Sequence, residues 1–344
     1  MTSNPKSIRL CLLLAFASST ASAHHNSGAV FDLENEVAIK GVVTKYEFRN
    51  PHVYVYVDAK NGDGEIVNWR IEAGPLGILR RLGWDRDTLA AGDNISVIGN
   101  PARNPDKHAA FLKSGQVNDI ALPPFRGEES IKTLTTYEAT NKNKADSLNG
   151  TWVTLLDFAN FDLVEEPEKL SLTPKGAAAL ESFDENTMHT GLECIPFTAP
   201  VLMLVPDTKS IRIGDDFISI RADFDNAERL IQMTEISHDS DEATVQGNAV
   251  GHWEDKTLVI ETNRFADHRM GNSFGLPSGS QKHLVESLAL NPDGKSLTYR
   301  FELIDPEFLT EPISGEVQWA YRPDVEYLGL ECDPENSRRF LDEQ

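Results

Sequence analysis

The sequence predicts an all-β protein of two domains, an OB-like five-stranded barrel followed by a lipocalin-like antiparallel barrel. Short segments alternate between apolar and polar residues along most of the chain, turn residues recur between them, and helical periods are few. A chain of 344 residues is also too long for one small core. We therefore expect a signal peptide at 1–23, an OB-like domain at 24–120, a linker at 121–147 and a lipocalin-like barrel at 148–344.

The first 23 residues have the pattern of a secretory signal peptide. Lys6 and Arg9 accompany an apolar run at 10–17 that is too short to span a bilayer, and Ala21-Ser22-Ala23 is a small-residue cleavage site. Cleavage there would place the mature protein in the periplasm or outside the cell. It would also make His24 the first residue, with a free α-amino group.

The element order of the next hundred residues predicts an OB-type barrel. Alternating segments lie at 37–48, 52–58, 66–72, 95–102 and 110–117, and a helical period lies at 75–84. Gly41 interrupts the first strand, and Asn61-Gly62-Asp63-Gly64 is a strong hairpin turn. Three strands, a short helix and two strands are the order of an OB barrel, although that fold alone carries no function.

The second domain follows a linker that Pro123-Pro124 opens. A helix is predicted at 172–183, with Thr173-Pro174 at its start. Gly150-Thr151-Trp152 is similar to the opening of lipocalin-like barrels. Strands at this spacing, without intervening helices, predict an antiparallel barrel or sandwich. They lie at 210–213, 217–223, 228–235, 243–250, 257–263, 282–290, 297–304 and 315–321.

The charge of the chain limits its partners. The net charge is −22, and loss of Lys6 and Arg9 with the signal segment would make it more negative. Such a charge repels nucleic acid and anionic membrane surfaces. After the signal segment, no stretch reaches the ~18 to 20 apolar residues of a membrane span. We therefore expect a soluble protein with no nucleic-acid partner and no membrane span.

Two cysteines remain after loss of Cys11 with the signal segment, namely Cys194 and Cys332. An even number in an oxidising compartment predicts a disulfide between them. Two buried free thiols or a metal-thiolate pair are the alternatives.

The first domain resembles a secreted bacterial domain-of-unknown-function family whose members begin His-His-Ser. The matching segments are His24-His25-Asn26-Ser27, Gly41-Val42-Val43-Thr44, Asn50-Pro51-His52, Trp69 and Gly92-Asp93. Asn26 is an insertion relative to that family's pattern. The resemblance implies no known activity.

Residues 148–340 resemble a second uncharacterised secreted β-rich bacterial family. Its pattern is Gly-x-Trp-Glu-x-x-Thr-Leu-Val-x-Glu-Thr, which begins here at Gly251 and ends at Thr262. Val285-Glu286, Asp305-Pro306 and Glu331-Cys332 also match. This resemblance, too, implies no known chemistry.

Three histidines form a candidate metal site, His24, His25 and His52. An N-terminal His offers its amine and its imidazole as a chelate, and these nitrogen ligands suit a divalent metal such as copper, nickel or zinc. His52 follows a Pro turn at the mouth of the predicted OB barrel. The alternative is a frayed terminus, with His52 an ordinary turn residue.

Carboxylates in the second barrel form a candidate acid–base site. Glu286 interrupts an apolar strand face between Leu284 and Leu288, so it is expected inside the barrel. The other candidates are Glu261, Arg300 and Glu302. Crowded carboxylates raise one another's pKa, which general acid–base catalysis uses. A structural salt-bridge network, or Glu side chains on the wet outer face, are the alternatives.

Three functions fit these observations. The first is an exported binding protein, with a small amphipathic ligand in the C-terminal barrel and a divalent metal at the N-terminal His pair. The second is an enzyme, an isomerase, lyase or hydrolase, with a Glu/Arg acid–base site in that barrel. The third is an envelope interaction protein that uses the OB face.

Overall fold

The computed structural model of the protein describes residues 27–123, 142–155, 167–223, 226–233, 242–329 and 331–343. Within this part of the chain, no helix is long and apolar enough to cross a membrane. The first domain contains the short helices α1 (Ser27–Val30) and α2 (Leu76–Arg81). Its strands are β1 (Val37–Glu47), β2 (His52–Lys60), β3 (Ile66–Pro75), β4 (Asn94–Pro101), β5 (Ala109–Val117) and β6 (Ile120–Ala121).

The first five strands close a barrel with the OB order, as the sequence predicts. Hydrogen bonds join them in the order β3-β2-β1-β4-β5, and parallel pairing of β3 with β5 closes the ring. Gly41 lets β1 approach β2 closely, because a Cβ there would lie 2.1 Å from the carbonyl oxygen of Asp58. Alternate residues of β2, Val53, Val55 and Val57, fill the interior. The residues between them therefore lie on the outer face.

The second domain is a closed barrel of nine strands within the described residues. The first four of its strands are β7 (Gly150–Thr154), β8 (Thr208–Ile213), β9 (Phe217–Ala222) and β10 (Glu228–Gln232). The remaining five are β11 (Asn248–Glu254), β12 (Thr257–Asn263), β15 (His283–Leu290), β16 (Ser296–Ile304) and β17 (Ile313–Tyr321). A separate hairpin consists of β13 (His268–Ser273) and β14 (Leu276–Ser278).

Short helices connect and follow these strands. They are α3 (Pro174–Glu181), α4 (Glu185–Met188), α5 (Val201–Leu204) and α6 (Pro334–Arg338), with 3₁₀ turns at Pro167–Lys169, Thr190–Glu193 and Arg339–Glu343. The predicted helix start is confirmed, since the Thr173 hydroxyl accepts the amide N–H of Gly176.

The pairing of the second barrel is antiparallel at every step but one. Only β10 and β11 run parallel, with Ile231 opposite Ala249. Large aromatic side chains fill the interior, where the rings of Tyr299 and Trp319 stack with centroids 5.9 Å apart. Trp152, predicted to open the barrel, is fully buried and donates its indole N–H to the carbonyl of Leu148 at 2.8 Å.

One predicted strand is displaced. The strand expected at 243–250 begins instead at Asn248, because Gly247 adopts φ +68° in a turn. Gly251, which directly follows the predicted strand, lies inside the observed one, where a Cβ would be 2.7 Å from Ile231 Cγ2. Here glycine permits close packing of neighbouring strands rather than ending one. The β13–β14 hairpin was not predicted.

The predicted disulfide is confirmed. Cys194 and Cys332 are bonded, with Cα atoms 5.7 Å apart. The bond joins the 3₁₀ turn Thr190–Glu193 to the C-terminal segment 331–343. That segment lies against the first barrel, where Arg49 pairs with Asp333 at 2.8 Å. The end of the second domain is thus fastened to the first.

Candidate functional site

Three polar side chains meet on the outer face of the first barrel, and we call them the His52 cluster: His52, Tyr54 and Glu72. The imidazole Nδ1–H of His52 donates to Glu72 Oε1 at 2.6 Å, and the Tyr54 hydroxyl donates to Glu72 Oε2 at 3.2 Å. All three side chains are buried. A buried carboxylate is costly unless it is paired and hydrogen-bonded, so these donors explain why Glu72 is tolerated there.

Strand alternation and one bulge bring the His52 cluster together. His52 and Tyr54 are two residues apart on β2 and so lie on the same face. Tyr54 is directly opposite Glu72 on β3, whereas His52 is opposite Pro75. Two steps along β2 therefore match three along β3, which is a β-bulge, a feature that re-aims side chains next to functional sites. The sequence placed His52 at the barrel mouth, and the structure places it on the outer wall.

The described chain begins beside this cluster. The ring of Phe31, just after α1, stacks on Phe111 with centroids 5.5 Å apart. Phe111 in turn is paired with Glu72 across β3 and β5. His24 and His25 lie outside the described residues.

The hydrogen bond to Glu72 holds the His52 ring in one orientation. In the tautomer that donates from Nδ1, the lone pair lies on Nε2, which is a buried atom. Metal-binding histidines usually have their other nitrogen held by a carboxylate or carbonyl, which fixes the ring and raises its basicity. Among the described residues, no three His, Cys, Asp or Glu side chains are grouped to hold a metal ion. A metal at His52 would need further ligands from outside these residues.

Glu286 points into the second barrel, as its position on an apolar strand face predicts. Its Oε1 accepts hydrogen bonds from Arg229 Nη1 and the Tyr299 hydroxyl, both at 2.8 Å. Its Oε2 accepts from Arg229 Nη2 at 2.7 Å and from the Thr262 hydroxyl at 3.3 Å. Neither charged side chain of this pair is exposed. The partner is therefore Arg229, and not Arg300 or Glu261 as the sequence suggested.

The other residues predicted for an acid–base site are exposed on the outer face: Glu261, Arg300 and Glu302. Glu286 is opposite Ile260 on β12 and Phe301 on β16, so these two apolar residues share its face. Their neighbours in sequence must then face solvent. Arg300 pairs there with Glu316 at 2.8 Å. The predicted inward grouping of the four residues is wrong. Of two consecutive residues in a strand only one faces the interior, and Ile260 and Phe301 occupy that side.

The environment of the buried Arg229–Glu286 pair favours a structural role over acid–base catalysis. Burial alone would lower the pKa of Arg229, but the charge and hydrogen bonds of Glu286 outweigh burial and raise it. Burial and the Glu286 charge also raise the pKa of Tyr299 well above its usual value. Arg229 thus stays cationic and Tyr299 keeps its hydroxyl proton. The network ties together β10, β12, β15 and β16.

A cleft of about 460 Å³ opens beside β13 and β14, and its wall includes His268. The ring is engaged on both sides, because Nε2–H donates to the carbonyl of Pro196 at 3.1 Å and Nδ1 accepts the Met270 amide at 3.1 Å. Burial lowers the pKa of His268 to about 4. This histidine is therefore a neutral structural residue at neutral pH.

His268 gives the fold a measurable acid sensitivity. It is only 4 % exposed. As pH falls below the ordinary value of 6.5, the unfolded chain takes up a proton that the folded chain refuses until about 4. Stability is therefore lost across that window, by about 3 kcal/mol for a shift of this size. Denaturant titrations at several pH values should show a shallower loss in His268→Gln. His252→Gln, at an exposed histidine, should keep the wild-type slope.

The sequence analysis did not identify Glu72, which holds the His52 cluster together, or Arg229, which pairs with Glu286. Arg229 shares a strand face with the buried residue Ile231, so alternation along the strand indicates that the Arg229 side chain points into the barrel. Glu72 lies between the interior residues Ile71 and Ala73, so alternation assigns it to the outer face. Only the long-range packing of the chain termini shows that this outer face is covered.

Residues 12–111 match a family of unknown function, DUF6152. The match covers most of the first barrel and none of the second, so it supports the predicted likeness of the first domain alone. No curated protein matches the sequence. A solved structure, asparaginyl-tRNA synthetase from Pyrococcus horikoshii complexed with asparaginyl-adenylate, is similar at 12 % identity and a TM-score of 0.18. The alignment covers 74 % of this chain and 50 % of that one, and at this TM-score it carries no argument.

Proposed function

We propose that this protein is an exported metal-binding protein that holds a divalent ion such as Cu(II) through His52 Nε2 and the N-terminal histidines. The observation that carries the proposal is the 2.6 Å hydrogen bond from His52 Nδ1–H to the buried Glu72 carboxylate. It fixes the orientation of the His52 ring and leaves Nε2 as the ring nitrogen that would ligate an ion. The terminal amine and imidazole of His24 and the imidazole of His25 supply the remaining nitrogen ligands. Copper and nickel favour such a set.

Export is part of this proposal. Removal of the first 23 residues exposes the α-amine of His24, which the chelate requires. The disulfide between Cys194 and Cys332 supports an oxidising compartment. Intact mass of the protein purified from its native source should therefore correspond to a chain beginning at His24. A mature chain that retains Met1 would contradict both the export and the chelate.

The second barrel offers less support for a small-molecule site. Its interior holds Trp152, Tyr299 and Trp319, which are fully buried, together with the Arg229–Glu286 pair. An amphipathic ligand in that barrel, and an acid–base reaction at Glu286, stay predictions. The outer face of the OB barrel, which an interaction protein would use, is covered around His52 by the C-terminal segment.

We expect the mature protein to bind Cu(II) with micromolar or tighter affinity, measured by calorimetry in a buffer that does not chelate copper. His52→Ala should weaken binding at least tenfold, because it removes a ligand. Glu72→Gln should weaken it about 10- to 100-fold, as is typical when the partner of a ligating histidine is lost. His252→Ala, which removes an exposed histidine of the second barrel, should leave the affinity unchanged.

A chain acetylated at the α-amine of His24 tests the chelate without touching the fold. Acetylation removes that amine as a ligand and supplies no new one, so copper binding should weaken. Circular dichroism would show that the acetylated and native chains fold alike. Equal copper affinity in the two chains, or an affinity that survives loss of His52, would contradict the proposed site.

A further inference from the structure

A short basic helix of the first barrel reaches the second barrel, and we call this contact the inter-barrel joint. In α2, Leu76 and Leu79 pack into the core of the first barrel. Arg80 and Arg81 follow at the C-terminal end of the helix, and Arg80 Nη1 donates to Asp223 Oδ2 of the second barrel at 3.3 Å. The charged residues of the joint are Arg80 and Arg81 from the first barrel, and Asp207, Lys209 and Asp223 from the second.

Asp223, which directly follows β9, is covered from both barrels. Its Oδ1 accepts the amide N–H groups of Leu328 and Gly329, both at 3.1 Å. Asn50 of the first barrel donates its side-chain amide to the Asp223 carbonyl at 3.1 Å, and Arg80 reaches the carboxylate. Asp223 is only 3 % exposed. Separation of the barrels would therefore remove part of this cover and admit water to the carboxylate.

A second buried aspartate lies at the same end of the second barrel. Asp207 directly precedes β8, and the Asp223 amide donates to the carbonyl of Thr208, the next residue, at 2.9 Å. Asp207 also meets α2, because a Cβ at Gly77 would lie 3.1 Å from Asp207 Oδ1. Two carboxylates thus share one buried place under the same helix. Their like charges disfavour ionisation of both.

The other titratable groups around the pair keep their charge between pH 6 and 7.5. Lys209 is fully buried and donates to the Thr154 hydroxyl at 2.8 Å, and burial lowers its pKa to about 8, so it stays mainly cationic. Arg81 donates to the Thr154 carbonyl at 3.4 Å. Burial raises the pKa of Tyr327, beside the segment that covers Asp223, to about 12, and Arg221 lies 4.9 Å from the centroid of its ring.

We propose that the inter-barrel joint is a pH-sensitive contact, in which the Asp207–Asp223 pair takes up a proton and the two barrels dock more tightly as the solution is acidified. The proposal does not depend on the metal site. Burial, and then the charge of Asp207, raise the pKa of Asp223 to about 7, although Arg80 and two backbone N–H groups oppose this rise. Since burial outweighs Arg80, separation of the barrels, which weakens both, should lower that pKa.

Proton binding therefore favours the docked arrangement. A carboxyl group whose pKa is raised by docking stabilises the contact fully below its ordinary value of 3.8, and this stabilisation is lost as the pH rises to about 7. Above that range, the docked barrels hold two buried negative charges close together. The Arg80–Asp223 ion pair alone would give the opposite dependence, because protonation of the carboxylate removes its charge.

Hydrogen exchange of the full chain at about pH 6 and about pH 7.5 tests the joint. The reporters are the amides of Leu82 and Trp84 at the end of α2, which donate to the carbonyls of Ile78 and Leu79. After correction for intrinsic exchange rates, their protection factors should be roughly five- to tenfold higher at the lower pH. Amides of β12 and β15, which contribute no residue to the joint, should keep similar protection. Equal protection at the two pH values, or higher protection at the higher one, would overturn the proposal.

Three variants assign the effect to its residues. Asp223→Asn keeps an acceptor for the two amides but takes up no proton, so its protection factors should be alike at both pH values. Arg80→Met removes a charge that opposes protonation, so the midpoint of protection against pH should move upward. Asp333→Asn is the matched control, because it breaks the partly exposed Arg49–Asp333 pair between the barrels, keeps the N-cap acceptor of α6 and should behave as wild type.

The variants also decide against the proposal if they respond in other ways. A pH dependence that persists in Asp223→Asn, or a midpoint that stays in place in Arg80→Met, would assign the effect to another group. If Asp223→Asn loses protection at both pH values because its barrels separate, the midpoint of Arg80→Met still decides, since it depends only on the proton taken up by the aspartate pair.

Discussion

Replacement of both Cys194 and Cys332 by serine should lower the free energy of unfolding by roughly 4 to 5 kcal/mol. The bond closes a loop of 138 residues. In chain-entropy models, a link across so long a loop removes much of the freedom of the unfolded chain. In these models the expected loss comes from the greater freedom of the unfolded ensemble.

Denaturant unfolding of the oxidised wild type and the double variant measures this difference. The reduced wild type should match the double variant, and the reductant should have no effect on the variant itself, which makes the two chains mutual controls. Extrapolated free energies that agree within about 1 kcal/mol between oxidised wild type and variant would contradict the expectation, because they would mean that the unfolded chain is already as compact without the link.

The disulfide and the first barrel could be predicted because local patterns determine them. Cys194 and Cys332 are the two cysteines that follow the predicted signal segment, and two cysteines allow only one pairing. In the first domain, Gly41, the Asn61-Gly62 turn and the helical period before β4 each occupy the position that an OB barrel needs. Each signal is short in sequence, and each agrees with the others, which is why the strand order followed from them.

The site could be predicted only in part, because its geometry depends on contacts between distant residues. His52 was identified from its turn, but its partner Glu72 is 20 residues away across a bulge. Asn336, which holds the His52 carbonyl, is 284 residues away. No periodicity in the sequence carries such information. Alternation placed Glu286 inside the second barrel, yet the same alternation excluded Arg300 as its partner, since Tyr299 and Phe301 occupy the interior of that strand.

Removal of one member of the buried Arg229–Glu286 pair should be the second large effect on stability. In Glu286→Ala, Arg229 loses the acceptor of two hydrogen bonds and remains as a fully buried cation, so we expect a loss of about 3 to 5 kcal/mol. Glu286→Gln keeps the shape and one acceptor oxygen, and should cost less. An Arg229→Met/Glu286→Leu double variant should regain most of the loss, because it leaves no unpaired charge in the barrel.

The matched control for this pair lies on the outside of the same barrel. Arg300 and Glu316 form an ion pair between the neighbouring strands β16 and β17, and they are 57 % and 56 % exposed. Glu316→Ala should therefore cost at most about 1 kcal/mol, since water solvates the remaining charge. Chemical denaturation of the four variants gives the comparison. Equal small losses for Glu286→Ala and Glu316→Ala would show that water reaches Arg229, and the interior would then be open enough for the predicted ligand or acid–base site. A large loss of unfolding free energy for Glu286→Ala alone would show that the pair stabilises the fold, as the four hydrogen bonds accepted by Glu286 indicate.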